Sequence, residues 1–374
     1  MFFFFDEFDN TVSPHTVKKF ELISEYTKSW IQKLMNYSRC DGVVYIDCMS
    51  NSGVYHDGDG NEIEGTPIRV ARIITDAMAS YHTKRAFVYF NDNDKAKIDI
   101  LESRLPQSTR NVTIKTFTMD GNEFLKKISS NLGRYQNMNF LLVYDPFQAT
   151  IDWRAIMPFL QNWGEVIINH MVSDTIRAAK VAKRPTTIEK YESTYLTDIE
   201  ELVSFGSNRT AFENRIEEII RALSQRSSRR YYIASYPFFN QTNTVVYNLI
   251  HCTGNIEGFK LYKKTAWKTF GDHSSMKNTH GNEMQMVLDL SGQSDTGCTY
   301  NVDEYCYNVN DIVNYVQNRF AGRKDVSLEE VWALLDEHPV FPSEGYKPQI
   351  KSGLKKDYNA QITKGKITFT ERRG

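Results

Sequence analysis

Apolar positions follow two alternating rhythms along this chain. Short, nearly continuous apolar runs cover Val43 to Asp47, Ala86 to Phe90, Val112 to Phe117, Phe140 to Asp145 and Glu165 to Asn169. Between them lie stretches with helical spacing: Ile68 to Ala79, Lys95 to Leu105, Asn122 to Ser129 and Trp153 to Leu160. A strand apolar on both sides must be covered on both faces, and the intervening helices supply the cover. The alternation therefore predicts an α/β fold, a Rossmann-like doubly wound sheet. A helix is expected ahead of the first strand. Ser13 is a good N-cap, Pro14 suits the first helical position, and Phe20, Ile23, Trp30, Ile31 and Leu34 fall on one side.

The rhythm changes between about residues 173 and 230, where the sequence is charged and helix-favouring, including Glu213 to Ser224. Two further strand-like runs follow, Tyr231 to Phe239 and Thr244 to Cys252, so the charged stretch predicts a helical insertion before the last strands. Its end, Arg226 to Arg230, is a basic cluster that reads first as a solvated linker. Residues 1–270 thus form the expected α/β domain. Residues 271–310, rich in Ser, Thr, Asn, Gly and Asp, form a connector of undefined structure. In residues 311–374 periodicity returns. Val326, Val331, Leu334 and Leu335 form one helical stripe behind Ser327, and Ile350 and Leu354 form another behind Pro348. Gln361 to Phe369 reads as two short strands about the Lys364-Gly365 turn. Helices followed by a hairpin predict a winged helix-turn-helix.

Composition narrows the function classes. The 374 residues are 41% hydrophobic and 13% aromatic, enough core material for one large domain and an appendage. With 45 basic against 46 acidic side chains the net charge is -1, so any attraction to nucleic acid has to be local. The five cysteines, Cys40, Cys48, Cys252, Cys298 and Cys306, are scattered without C-x-x-C pairs, which fits a reducing cytoplasm. Phe2 to Phe5 are followed by acids, unlike a signal peptide, and no run is long enough to cross a bilayer; a soluble protein with no membrane contact is expected.

In a doubly wound sheet, ligands bind beyond the carboxyl ends of the strands. Strand one ends at Asp47 and flows through Cys48, Met49, Ser50, Asn51 and Ser52 to Gly53, a small-residue loop that lets backbone N–H groups approach a ligand. The second ends in Asn91-Asp92-Asn93-Asp94, where a carboxylate could accept both hydroxyls of a ribose, and the third near Asp120, where a polar side chain could meet an adenine amine. The fourth ends in Asp145-Pro146-Phe147. A carboxylate, a proline-fixed backbone and an aromatic ring in sequence can hold an amine, present a carbonyl and stack a flat substrate. Any one of these acids could simply cap the next helix or start a turn. Four of them at one sheet edge favour a site, with Asp145, Pro146 and Phe147 as the catalytic candidates. Asp47, Ser50, Asn51, Gly53, Asp92, Asp94 and Asp120 are the cofactor-binding candidates.

Other patterns point elsewhere or nowhere. His56 to Glu62 superficially resembles a calcium loop, but its glycines and glutamate are misplaced for an EF-hand, so a solvated turn is expected and no metal. His273 and His280 lack a spaced partner, and there is no G-x-S-x-G elbow or Walker loop. Near the C-terminus Lys347, Lys351 and Lys355 recur every four residues. Lys356, Lys364, Lys366, Arg372 and Arg373 follow, against only Asp357 and Glu371. A basic helix with Lys364 and Lys366 on a wing suits docking to the phosphates of DNA or RNA; a solvated lysine face on a protein-interaction module is the alternative.

Several of these segments together resemble the three-Cys-motif partner (TcmP) family of Rossmann-like, methyltransferase-related proteins. The resemblance rests on His15 and Lys18, on Tyr45-Ile46-Asp47 with its loop to Gly53, on Gly65-Thr66-Pro67 and on Asp145-Pro146-Phe147 with the following Trp153. Ile167-Ile168-Asn169, Tyr247-Asn248-Leu249-Ile250, Gly258, Lys263-Lys264 and the C-terminal winged helix extend it. It implies a class I methyltransferase-type sheet, an S-adenosylmethionine pocket and a partner with a radical-SAM-like three-cysteine motif, in a bacterial or phage-infected cell. Asn51 stands where the family has glycine, and Gln148 likewise; Asn51 fits the loop only if it adopts the left-handed conformation that asparagine tolerates. The expected activity is a nucleic-acid-modifying transferase, by default methyl transfer to a base or amine. Transfer of another donor such as an amino acid during phage DNA hypermodification, a non-catalytic partner role, and a transcription regulator with a sensor domain are the alternatives.

Overall fold

The computed structural model describes residues 11–146, 151–205, 209–225, 229–240, 244–276 and 306–371. Helix α1 (Pro14–Met35) leads into strand β1 (Gly42–Asp47), a hairpin β2 (Val54–His56) and β3 (Glu62–Glu64), and helix α2 (Thr66–Met78). There follow β4 (Arg85–Asp92), α3 (Lys95–Arg104), β5 (Val112–Thr118), α4 (Gly121–Ser129), β6 (Met138–Tyr144), α5 (Trp153–Gln161) and β7 (Gly164–Met171). Four helices, α6 (Ser173–Val181), α7 (Pro185–Tyr195), α8 (Ile199–Phe205) and α9 (Arg209–Gln225), then precede β8 (Tyr232–Phe239), β9 (Val245–Thr253) and α10 (Ile256–Thr269).

The seven long strands form one sheet in the order β5-β4-β1-β6-β7-β9-β8. The first five in that order run parallel; β9 is antiparallel to both β7 and β8. This is the mixed α/β arrangement that the alternating rhythm predicts. All six residues of β1 and all seven of β6 are buried, because strands at the middle of a covered sheet have no face toward water. Side-chain alternation sorts the core into two layers. Val43, Tyr45, Val88, Phe90, Leu141 and Val143 face α1, α2 and α10, whereas Val44, Ile46, Tyr89, Leu142 and Tyr144 face α4, α5 and the inserted helices.

The ends of α1 form as their residues dictate. Ser13 accepts a hydrogen bond from the Thr16 N–H at 3.4 Å, with Pro14 at the first turn. His56 to Glu62 is the turn of the β2–β3 hairpin, in which Asp57 accepts from the N–H groups of Asp59 and Asn61. Among the described residues no group of His, Cys, Asp or Glu is placed to hold a metal ion, and no helix is long and apolar enough to cross a membrane.

Beyond residue 305 come α11 (Val309–Phe320), β10 (Val326–Ser327), α12 (Leu328–Glu337), α13 (Lys347–Tyr358), β11 (Gln361–Thr363) and β12 (Lys366–Thr368). The three strands form a separate antiparallel sheet in the order β10-β12-β11. Ser327 caps α12 as expected, and Lys364 and Gly365 turn the hairpin with φ of 46° and 81°. Most of the proposed connector, with Cys298 and His280, lies outside the described residues; its flanks meet where the Ser274 N–H donates to the Tyr307 carbonyl at 2.9 Å.

Two helices, α10 and α11, carry no expectation from periodicity. In α10 a lysine occupies a core position, which breaks the apolar stripe. Lys263 is fully buried, and its ammonium donates to the carbonyls of Leu335, Asp336, His338 and Phe341 at 2.6 to 3.1 Å. Those carbonyls lie at and just beyond the C-terminus of α12, where a helix runs short of N–H partners; that of Leu335 also accepts from the His338 N–H at 3.2 Å. Trp267 Nε1 and the Tyr236 hydroxyl both donate to the Val340 carbonyl at 3.0 Å beside it. The C-terminal unit is therefore fastened to the sheet by polar anchors as well as by shared apolar core. Replacing Lys263 with Met should leave this cluster of carbonyls without its donor and destabilise the chain by about 3 kcal/mol or more. Urea unfolding followed by circular dichroism checks it, and an unchanged midpoint would remove the anchoring role.

Candidate active site

The carboxyl ends of β1, β4, β6 and β7 converge with the start of α1 and the tip of β9 on one cluster of polar groups. The β1 loop is tied to the neighbouring strand by its own backbone. The Ser50 N–H donates to the Asn91 carbonyl at 2.8 Å, and the Asn51 N–H donates to Asp92 Oδ2 at 2.9 Å. Fully buried Asn91 returns the tie, its amide donating to the carbonyls of Cys48 and Met119 at 3.0 and 2.9 Å. One asparagine thus joins the ends of β1, β4 and β5.

Asn51 adopts the left-handed conformation, with φ of 57°, and its side-chain oxygen accepts from the Ser52 N–H at 2.7 Å. Asparagine tolerates this conformation better than most side chains, and its own hydrogen bond supports the turn. Gly53 follows with φ of 68°, and a Cβ there would come within 3.0 Å of both Ile68 and Leu101. Gly65 closes the loop by donating to the Gly53 carbonyl at 2.8 Å. It has room for no side chain, since a Cβ would lie 2.5 Å from the Tyr55 ring.

Asp47 is the most perturbed acid in the cluster. It is 3% exposed and accepts from the Met49 N–H at 3.3 Å. Burial pushes its pKa up to about 8, with the negative charge of Asp145 adding to the rise and Lys19 opposing it. Asp145 is more accessible and better compensated. Lys19, from α1, reaches it at 2.6 Å, and the Asn169 amide donates to its other oxygen at 2.6 Å. The Lys19 ammonium also lies 5.4 Å above the Tyr247 ring, whose hydroxyl donates to the His15 carbonyl at 2.9 Å. Burial and the nearby Lys19 charge lower the pKa of His15, so its ring stays neutral.

The expected residues divide accordingly. Asp47, Ser50, Asn51, Gly53, Asp92 and Asp145 come together at one end of the sheet, with Pro146 next in the chain. Asp94 and Asp120 lie beside this group, each exposed and capping a helix: Asp94 Oδ1 accepts from Ala96 and Lys97 on α3 while its N–H donates to Asp92, and Asp120 Oδ1 accepts from Asn122 and Glu123 on α4. Phe147 lies outside the described residues. The structure adds Lys19, Tyr55, Asn169 and Tyr247. No local pattern marks Lys19, one of several charged residues on an amphipathic helix, and only the packing of α1 across the sheet brings it to Asp145.

No family model matches this chain, and no curated protein matches it. Among solved structures it is similar to a protein from Legionella pneumophila at 12% identity, covering 67% of this chain and 92% of that one, with a TM-score of 0.38. It is similar to a bacterial methyltransferase domain at 10% identity, covering 62% and 99%, with a TM-score of 0.29. Loganic acid methyltransferase with SAH is 11% identical over 71% of this chain and 86% of that one, with a TM-score of 0.30. At these low scores the chemistry has to be read from the chain's own residues.

The loop makes a distinguishing prediction. Asn51→Gly should change stability by less than about 1 kcal/mol, since glycine reaches the same backbone conformation without strain. Asn51→Ala, which meets the left-handed penalty without the compensating hydrogen bond, should cost about 1–2 kcal/mol. Thermal unfolding of the two variants side by side checks the order, and equal losses would refute it.

Proposed function

We propose that this protein is a transferase of the class I methyltransferase type that uses S-adenosylmethionine and modifies a base or amine in nucleic acid. The observation that carries the reading is the end of β1: a buried Asp47 whose pKa burial and the Asp145 charge push up to about 8, followed by a left-handed turn at Asn51 and Gly53, with the Asn51 N–H drawn onto Asp92. The sheet order, with antiparallel β9 between β7 and β8, supports the same class.

The donor set fits that cofactor. Asp47 has unused acceptor capacity in a buried position, where an ammonium is its natural complement. Asp92 accepts only one hydrogen bond per oxygen, from Asn51 and Asp94, which leaves lone pairs for ribose hydroxyls. When bound, the cofactor supplies an electrophilic methyl group. The chain's own residues then have chiefly to align an acceptor, because an amine lone pair needs no strong base. Asp145, held by Lys19 and Asn169, is placed to accept a hydrogen bond from the acceptor amine, with Pro146 fixing the backbone next to it.

The unit of α11 to β12 is read as a winged helix that delivers DNA or RNA. In support, its order is helix, strand, helix, helix, hairpin, and α13 carries Lys347, Lys351 and Lys355 four residues apart in a row beside the buried Ile350 and Leu354. Lys347 lies 5.4 Å over the Trp332 ring, while Lys355, Lys364 and Lys366 are exposed. A three-cysteine, radical-SAM-like partner belongs to the proposal through the TcmP resemblance alone.

Calorimetry with S-adenosylmethionine tests the core of the reading. Asp47 holds its proton below about pH 8 and must lose it to receive an ammonium, so affinity should rise with pH up to about 8 and binding should release a proton. Asp47→Asn should bind about ten- to a hundredfold more weakly. A folded chain that binds at no pH would overturn the proposal. For the nucleic acid, Lys351→Ala and Lys355→Ala should each lower the slope of log affinity against log salt by about 1, measured by fluorescence anisotropy with a duplex. Slopes that do not move would assign this face to another partner.

A further inference from the structure

At the opposite, amino-terminal end of the strands lies a cavity of about 430 Å³ between α1, the start of β7 and the start of α10. Its floor is Glu165, the second residue of β7 and 4% exposed. One carboxylate oxygen is held by two buried partners: the Tyr26 hydroxyl donates to it, and His251 Nε2 lies 2.8 Å away. The Tyr262 ring stacks on His251 at 4.4 Å between centroids and fixes its plane. The other oxygen, Oε1, has no hydrogen-bond partner among the described residues, and the carboxylate lines the cavity. Space for it exists only because residue 258 is glycine, where a Cβ would lie 2.6 Å from that oxygen.

The walls are aromatic and deliberately held. Buried Asn139 accepts from Trp30 Nε1 at 2.8 Å and donates to the Trp163 carbonyl at 2.7 Å, so one side chain sets both tryptophans. Trp163 sits just past the end of α5 with φ of 58°, a left-handed position that ordinarily falls to glycine. A bulky aromatic in this conformation is strained, and strain of this kind gathers at ligand sites. Tyr37, at the mouth, is 46% exposed and meets the Trp163 ring edge-on at 6.3 Å. At the rim Glu257 pairs with both Lys33 and Lys260 at 2.6 Å, and Glu165 is the carboxylate that faces the cavity from its floor.

An aromatic-walled cavity with a free carboxylate oxygen on its floor suits a small aromatic cation with an N–H to donate. We infer that the Glu165 cavity is a second ligand site, for an aromatic amine or amidine, separate from the Asp47 cluster. A purely structural role for Glu165 would need only the oxygen that Tyr26 and His251 hold; the free oxygen, the Gly258 clearance and the exposed Tyr37 have no use in it. The strand places the two sites on opposite edges of the sheet, with Glu165 four residues before Asn169, about 13 Å along β7.

Benzamidine titrated into the full chain, read by tryptophan fluorescence, tests this, because Trp30 and Trp163 form the walls. Saturable quenching with a Kd below about 1 mM is expected, with none from benzoate, which has the same ring and the opposite charge. Glu165→Gln, which keeps the shape, and Tyr37→Ala, an exposed position that folding does not depend on, should each weaken binding about tenfold or more. Absence of saturation with benzamidine, equal binding of benzoate, or full affinity in folded Tyr37→Ala would overturn the inference, even if Glu165→Gln fails to fold.

Discussion

The constraint on which the structure turns is the complete burial of β1. Flanked by β4 and β6 and covered on both faces, it has no route to solvent except at its carboxyl end, and the residue there is an acid. A carboxylate buried to this degree is costly to ionise, and its pKa is pushed up to about 8. The neighbouring chain is shaped around that residue. The loop after it turns at once through left-handed Asn51 and Gly53, and the N–H groups released by the turn are captured by β4. A site built in this way is formed before any ligand binds.

Two buried asparagines perform matching tasks at the two ends of the sheet. Asn91 joins the carboxyl ends of β1, β4 and β5, where consecutive backbone groups leave the ladder and need partners. Asn139 does the same at the amino ends, linking α1 to the segment between α5 and β7. A side chain that donates and accepts at once can bridge elements that regular strand pairing leaves apart. The ends of the strands are thereby held as firmly as their middles, which is what a ligand site at a sheet edge requires.

The C-terminal unit is bound into this frame by α10, whose buried ammonium meets the carbonyls at the end of α12. Such an anchor has a fixed geometry, so the lysine face of α13 is carried at a set orientation to the sheet.

The sequence by itself determined the seven long strands and many of the helices, because each is set by short-range periodicity and caps: Ser13 and Pro14 for α1, Ser327 for α12, the Lys364-Gly365 turn for the terminal hairpin; the short strands β2, β3 and β10 carry too little pattern, and Val326 of β10 reads as part of a helical stripe. It also located the acids at the strand ends, since a near-continuous apolar run makes the first polar residue after it conspicuous. It could not rank them. Asp94 and Asp120 look the same as Asp47 in sequence, yet they are exposed helix caps, and only the packed sheet shows which carboxylate is denied water. Lys19, Asn169 and Tyr247 reach Asp145 from three elements distant in sequence, and the partners of Glu165 come from α1 and β9 in the same way. Helix α10 stayed hidden because its polar anchor sits where periodicity expects an apolar residue. Local order is encoded within a few residues; burial, charge coupling and long-range partners exist only once the chain has folded on itself.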